Sequence, residues 1–181
     1  ILVTSSAKCS AITNYASGTD EDGIMGFEST TDPPTCPFIA NDIIMCQQVN
    51  PGQTVDGDFA FDEGNIVTKK VLKVAAVSGS PNGNVILTTD AGFTSGVAPA
   101  VGDEWVRIGN TSDATRQNVL YLTSDDEDGP FMDVKADLDS YADWNADTST
   151  KCRIGRLDGL TGGTNEFGLW AGVSSTNYLK A

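Results

Sequence analysis

Two acidic runs hold the residues with the clearest chemical potential: Asp20-Glu21-Asp22 and Asp125-Asp126-Glu127-Asp128, each followed by glycine. Carboxylates gathered on a short flexible loop suit a hard cation such as Ca2+, which makes Asp125, Asp126, Glu127 and Asp128 the candidate metal ligands. Neither run fits an EF-hand. Setting Gly129 at that loop's invariant glycine puts Ser124 at the first ligand position and Lys135 at the last, and Gly23 brings in Gly18 and Ser29. A solvated acidic turn is the stronger reading of both runs. A looser Ca2+ site at residues 125–128 stands as the alternative, and no other cofactor is expected.

Paired carboxylates also serve glycosidases, which need two of them roughly 5 to 10 Å apart across a sugar. Among 25 acidic residues some pair meets that distance by chance, and no sequence feature singles one out. Flat aromatic rings stack on sugars. Trp105 and Trp170 lie in apolar strand patterns and read as core, whereas Tyr141 and Trp144 lie in an Asp-rich stretch and are the candidates for contact with a receptor or glycan. Histidine is absent, which removes Ser-His-Asp and Cys-His catalysis and histidine-ligated metals. Nucleotide cradles and nucleophile elbows have no matching motif. Cys9, Cys36, Cys46 and Cys152 are too widely spaced for a CxxC knuckle, and free buried thiols and at least one bridge stand even. The chain is read as non-enzymatic, with a glycan hydrolase as the weakest alternative.

The elements that position these residues are short. Ile43 to Val49, Asn65 to Ser78, Asn84 to Thr89, Asp103 to Gly109, Gln117 to Thr123 and Phe131 to Lys135 are β-branched or aromatic stretches between turn residues, and Cys152 to Gly155, Phe167 to Ala171 and Tyr178 to Lys180 follow. Lys73 to Ser78 and Asn84 to Thr89 should pair as a hairpin across Ser80-Pro81-Asn82-Gly83. Residues 136–150 read as a short helix or a loop. The 19 glycines and 7 prolines belong to a chain that turns often. The expected fold class is all-β, an elongated fibre-type or sandwich-like module over residues 43–181, preceded by an irregular, turn-rich segment over residues 1–42. Val106-Arg107-Ile108-Gly109 is echoed by Cys152-Arg153-Ile154-Gly155, a match short enough to be chance.

Eleven basic residues against 25 acidic ones give a net charge of −14, which argues against nucleic acid, since phosphate binding needs clustered Lys and Arg and only Lys69, Lys70 and Lys73 lie close together. The longest apolar runs are far short of the roughly 20 residues a spanning helix requires, so a soluble chain without membrane insertion is expected. A start at Ile1-Leu2-Val3-Thr4, without Met, suggests a mature or excised piece.

Pro99-Ala100-Val101-Gly102-Asp103-Glu104-Trp105-Val106-Arg107-Ile108-Gly109-Asn110, followed by Thr111-Ser112-Asp113-Ala114-Thr115-Arg116-Gln117-Asn118, resembles a module of tailed-bacteriophage tail-fibre and tail-tip proteins, which carry a Gly-Asp-Glu strand, a Gly-Asn turn, an Asp, and Arg-Gln leading into the next strand. Arg153 to Thr161, Phe167 to Gly172 and Tyr178 to Lys180 resemble the ending of the same module. The likeness runs in order from about Ile39 to Ala181, with Phe167 and Trp170 where tyrosines are expected. It implies a structural part of a virion tail that contributes to host attachment, associates with itself as a homotrimer and with other tail subunits, and meets a glycan or protein receptor on the host surface. A bacterial extracellular filament or adhesin, stabilised by Ca2+, is the alternative. On the residues themselves, Gly109-Asn110 should close its strand with positive φ and Arg116 should pair with Asp113 or Asp103.

Overall fold

Wherever β-branched and aromatic residues run together the chain is extended, and the Gly, Asp and Pro clusters fall between the strands. The computed structural model describes residues 1–13, 24–27, 36–50, 66–78, 84–88, 100–124, 128–160, 164–174 and 177–180. The strands are β1 (Leu2–Val3), β2 (Ser6–Thr13), β3 (Ile24–Phe27), β4 (Asp42–Asn50), β5 (Ile66–Ser78), β6 (Asn84–Thr88), β7 (Glu104–Asn110), β8 (Val119–Thr123), β9 (Phe131–Lys135), β10 (Thr150–Arg156), β11 (Phe167–Ser174) and β12 (Asn177–Lys180). Helix α1 (Tyr141–Trp144) is a single turn, and 3-10 turns occupy Ala114–Arg116 and Asp147–Ser149. The all-β expectation holds.

The chain divides into two compact units. One comprises residues 1–5, 41–43 and 107–181, the other residues 6–40 and 44–106. This division cuts across the expected segments 1–42 and 43–181, and the first 42 residues supply β1, β2 and β3. β2 and β3 pair with each other, Thr13 opposite Ile24, and each also pairs with a strand remote in sequence, β2 with β7 and β3 with β6, while β1 pairs with β8.

In the second unit the strands are hydrogen-bonded in the order β2-β3-β6-β5-β4-β7, and β7 returns to pair with β2 through Ser6 with Val106, Ala7 with Trp105 and Lys8 with Glu104. The hairpin of β5 and β6 has the expected pairing, from Lys73 opposite Thr88 to Ser78 opposite Asn84, while its turn lies outside the described residues. Alternate residues of these strands fill one core: Cys9, Met25, Ile44, Cys46, Leu72, Val74 and Trp105, joined by Phe38. Trp105 is fully buried there, as expected. All four cysteines are free thiols.

In the first unit six strands run β1-β8-β9-β10-β11-β12, every pair antiparallel. One face is covered. It carries Val119, Phe131, Asp133, Lys135, Arg153 and Trp170, all buried, and Leu157 and Leu160 pack with Trp170. The N-terminus and Tyr178-Leu179-Lys180 supply the outermost strands β1 and β12.

Candidate functional site

The residues that carry the tail-fibre resemblance around β7 gather on a carboxylate that sequence reasoning missed, Asp42. It opens β4 immediately before the apolar Ile43-Ile44-Met45, and entry into that run buries it completely. A buried carboxylate must be paired. Arg116 supplies a two-pronged partner, Nε donating to Oδ1 at 2.8 Å and Nη2 to Oδ2 at 2.6 Å, and Asn110 Nδ2 donates to Oδ1 at 2.9 Å. Asp42 is thus the partner in place of Asp113 or Asp103. Its hydrogen bonds and charge raise the pKa of Arg116 above the usual guanidinium value, against the opposing effect of burial. Arg107, whose Nη1 donates to the Arg116 carbonyl, is lowered by burial and by the neighbouring Arg116 charge.

Asp113 instead caps the 3-10 turn, accepting from the Thr115 hydroxyl at 2.6 Å and the Thr115 N–H at 2.9 Å; these bonds, with the hydroxyl contributing most, hold its carboxyl below the usual range. Asp103 Oδ2 accepts the Ala100 N–H at 2.7 Å and closes the turn before β7. The Gly109-Asn110 turn also differs from expectation. Neither residue has positive φ; among the described residues other than glycine, Asn41, Asp137 and Asn165 do. Gly109 is small because a Cβ there would run into the Leu138 carbonyl oxygen. Asn110 acts through its side chain, Oδ1 accepting the Asp113 N–H at 2.7 Å and the Ser112 N–H at 2.9 Å, while its own carbonyl accepts from Gln117 Nε2 at 2.8 Å. This is an anchoring knot: Asp42, Asn110, Asp113, Arg116 and Gln117 together hold β7, the 3-10 turn and the start of β4.

A second buried pair lies in the covered face of the six-stranded sheet. Arg153 donates from Nε to Asp133 Oδ1 at 2.7 Å, from Nη2 to Oδ2 at 2.8 Å and from Nη1 to the Asp158 carbonyl at 3.2 Å, and its guanidinium carbon sits 3.6 Å from the Phe131 ring centroid. Thr150 Oγ1 donates to Asp133 at 3.3 Å. The repeated Arg-Ile-Gly therefore reflects no common structure: Arg153 binds a carboxylate where Arg107 binds a carbonyl, and Gly155, unlike Gly109, has φ +127 with the Pro130 carbonyl 2.5 Å from where a Cβ would stand.

Of the four candidate metal ligands, Asp125, Asp126 and Glu127 lie outside the described residues. Asp128 is half-buried, with its carboxylate against Gly159, whose φ of +82 and missing Cβ permit the approach. The neighbouring Asp158 is occupied by the Asn165 N–H at 3.0 Å, the Glu166 N–H at 3.1 Å and Arg156 Nε at 2.7 Å; these bonds, the Asn165 N–H foremost, outweigh burial and hold its carboxyl below the usual range. Among the described residues no three His, Cys, Asp or Glu side chains are grouped to hold a metal ion.

Trp144 corrects the receptor-contact expectation. It ends α1 and is buried, 5.3 Å from the Tyr121 ring centroid to centroid, with Lys135 Nζ 5.7 Å from its ring and donating to its carbonyl at 3.1 Å. Leu138 and Trp144 are the apolar residues of this Asp-rich stretch that turn inward, and Ser140 and Asp143 form a capping box that sets α1 and directs Trp144 into the sheet. Burial opposes ionisation of Asp143, yet the hydrogen bonds from Ser140 and Asp139 keep its carboxyl below the usual range. Tyr141, at the other end of the same turn, is half-buried. Comparison with family models, curated proteins and solved structures finds no match to the chain.

Proposed function

We propose that the chain is a non-enzymatic module of a phage tail fibre or tail tip, working in the virion as a homotrimer beside other tail subunits and contributing to attachment at a host glycan or protein receptor. The observation that carries this reading is the use to which the family-like residues are put. Asn110, Asp113, Arg116 and Gln117 spend their side chains on one another, on Asp42 and on backbone. The remaining family-like segments, Arg153 to Thr161, Phe167 to Gly172 and Tyr178 to Lys180, supply the successive antiparallel neighbours β10, β11 and β12. Residues with such duties build a rigid scaffold, which is what a fibre segment needs. Tyr141 is the described side chain we assign to receptor contact.

The genes flanking the coding sequence test the reading at once. Tail-assembly genes are expected beside it; pilus or secretion genes would overturn the viral assignment in favour of an extracellular filament. A second test is saturable binding of the fluorescently labelled chain to cells of the bacterium from whose phage or genome the sequence comes, weakened by Tyr141→Ala. Absence of binding to those cells would remove the attachment role.

A further inference from the structure

The six-stranded sheet is built inside out. In β9 the buried residues are Phe131, Asp133 and Lys135 and the exposed one is Val134; in β10 Arg153 is buried and Ile154 is exposed. An antiparallel sheet with one face in water ordinarily alternates the other way, apolar in and polar out. Register carries the inversion across the whole uncovered face. One rung joins Leu122, Met132, Ile154 and Leu169, and the next joins Leu120, Val134, Cys152 and Ala171. Every one of these side chains is apolar, and Leu122, Val134 and Ile154 are 46%, 42% and 49% exposed. Phe167, beyond Leu169 on the same side of β11, is 65% exposed. A strand alternates with period two, so the arrangement is written into four separate segments of sequence.

We infer that this face is the interface through which the chain binds a second copy of itself. The two rungs and Phe167 expose on the order of 600 Å2 of apolar surface, at the upper limit of what a monomer leaves bare. Two such faces together bury about 1,200 Å2, the lower bound of a specific, stable interface, before any contribution from a polar rim. Copies of this antiparallel face turned toward a common symmetry axis cover one another and close the assembly. Charge selects the same occupant. With a net charge of −14 the chain repels its copies over most of its surface, and these two rungs bring no like charges together. A basic partner would need carboxylates on these rungs, which hold none; Arg156, opposite Phe167, is held by Asp158 at 2.7 Å. The inference names the surface for the self-association in the preceding reading, but it stands on the sheet and not on the resemblance.

Light scattering on the full chain across 1 to 100 µM is the test. The wild type is expected at a mass of two or more chains, and Ile154→Asp, which places a carboxylate at the centre of the rungs, is expected at the mass of one chain with an unchanged far-UV circular dichroism spectrum. A folded Ile154→Asp that keeps the wild-type mass, or a wild type that is a single chain at 100 µM, overturns the inference. The first of those results leaves the fibre reading standing with a different contact surface. If Ile154→Asp does not fold, the thiol of Cys152 in the wild type serves instead. Its maleimide labelling, located by peptide mass, should slow at least tenfold between 1 and 100 µM protein, and a rate independent of concentration is the refuting result.

Discussion

Removing Arg153 should be among the most damaging single changes in the chain. Arg153→Met keeps most of the aliphatic volume but leaves the fully buried Asp133 with Thr150 Oγ1 at 3.3 Å in place of two charge-assisted bonds, and frees the Asp158 carbonyl that Nη1 had held. Breaking a buried pair from one side costs about 3 to 5 kcal/mol, because the remaining charge has been taken out of water without compensation. The unit concerned has roughly 80 residues, for which each kcal/mol shifts Tm by about 4 to 8 °C, so the melting transition of this unit should fall by at least about 12 °C. Asp133→Leu should cost a similar amount by stranding the guanidinium. The double variant Arg153→Met/Asp133→Leu removes both charges and should return to within about 1 kcal/mol of wild type or exceed it, giving a coupling energy of at least about 5 kcal/mol. Urea unfolding followed by Trp fluorescence provides the four stabilities of the cycle. A cost below about 1 kcal/mol for Arg153→Met, or two single effects that add, would refute the assignment of this pair as a buried, mutually dependent unit.

The same logic at the anchoring knot predicts a smaller loss for Arg116→Ala, about 1 to 3 kcal/mol, since Arg116 is partly exposed and Asn110 stays hydrogen-bonded to Asp42; urea unfolding with an unchanged m-value checks it. Cys46 is pushed up to about 12 by burial and by the Asp103 carboxylate, and burial raises Cys9 as well, so in native protein diluted to 1 µM both should label with iodoacetamide at least tenfold more slowly than Cys152, as read by peptide mass. Asp113, Asp143 and Asp158 all have folded-state pKa values below the usual carboxylate range. The stability they contribute is complete above about pH 5 and is lost as pH falls below about 4 toward their folded-state values, so Tm measured from pH 7 downward should drop most steeply below about pH 4.

Strand positions were legible in the sequence because short apolar runs between turn residues need no knowledge of partners. The run Ile43 to Val49 becomes β4 and Phe131 to Lys135 becomes β9, with ends moved by a residue at most. What could not be read was which face of each strand turns inward. Phe131-Met132-Asp133-Val134-Lys135 has apolar residues on both faces, and the usual rule sends charge outward, where this sheet sends it in. Arg116 reads as an anchor in the sequence, but its partner Asp42 is 74 residues distant, while the nearby carboxylates Asp113 and Asp103 are engaged by Thr115 and by the Ala100 N–H. Trp144 went astray for a related reason: its acidic neighbours suggested a surface, yet one of them, Asp143, is the helix cap that turns it inward. A signal was present at Asp42, a lone carboxylate abutting three apolar residues, which buries itself unless the strand ends there.

The inverted sheet raises a problem of register that the Arg153 and Asp133 pair resolves. Because side chains alternate, a slip of one residue between β9 and β10 exchanges the two faces, and where both faces hold apolar residues the hydrophobic effect discriminates weakly between the alternatives. In the native register Arg153 stands opposite Asp133 and Ile154 opposite Met132. Shifting β10 by one residue sets Asp133 against Ile154 or Cys152 and strands a buried carboxylate, a penalty of several kcal/mol that only the native register avoids. The pair therefore acts as a register pin more than as a source of net stability, and the double apolar variant separates the two roles. It should keep its resistance to urea while losing a single packed arrangement, visible as broadened or doubled amide resonances for β9 and β10 in a two-dimensional NMR spectrum and as increased binding of a hydrophobic dye. A spectrum as sharp and singly populated as that of the wild type would show that turn geometry and packing against Trp170 already hold the register without the charges.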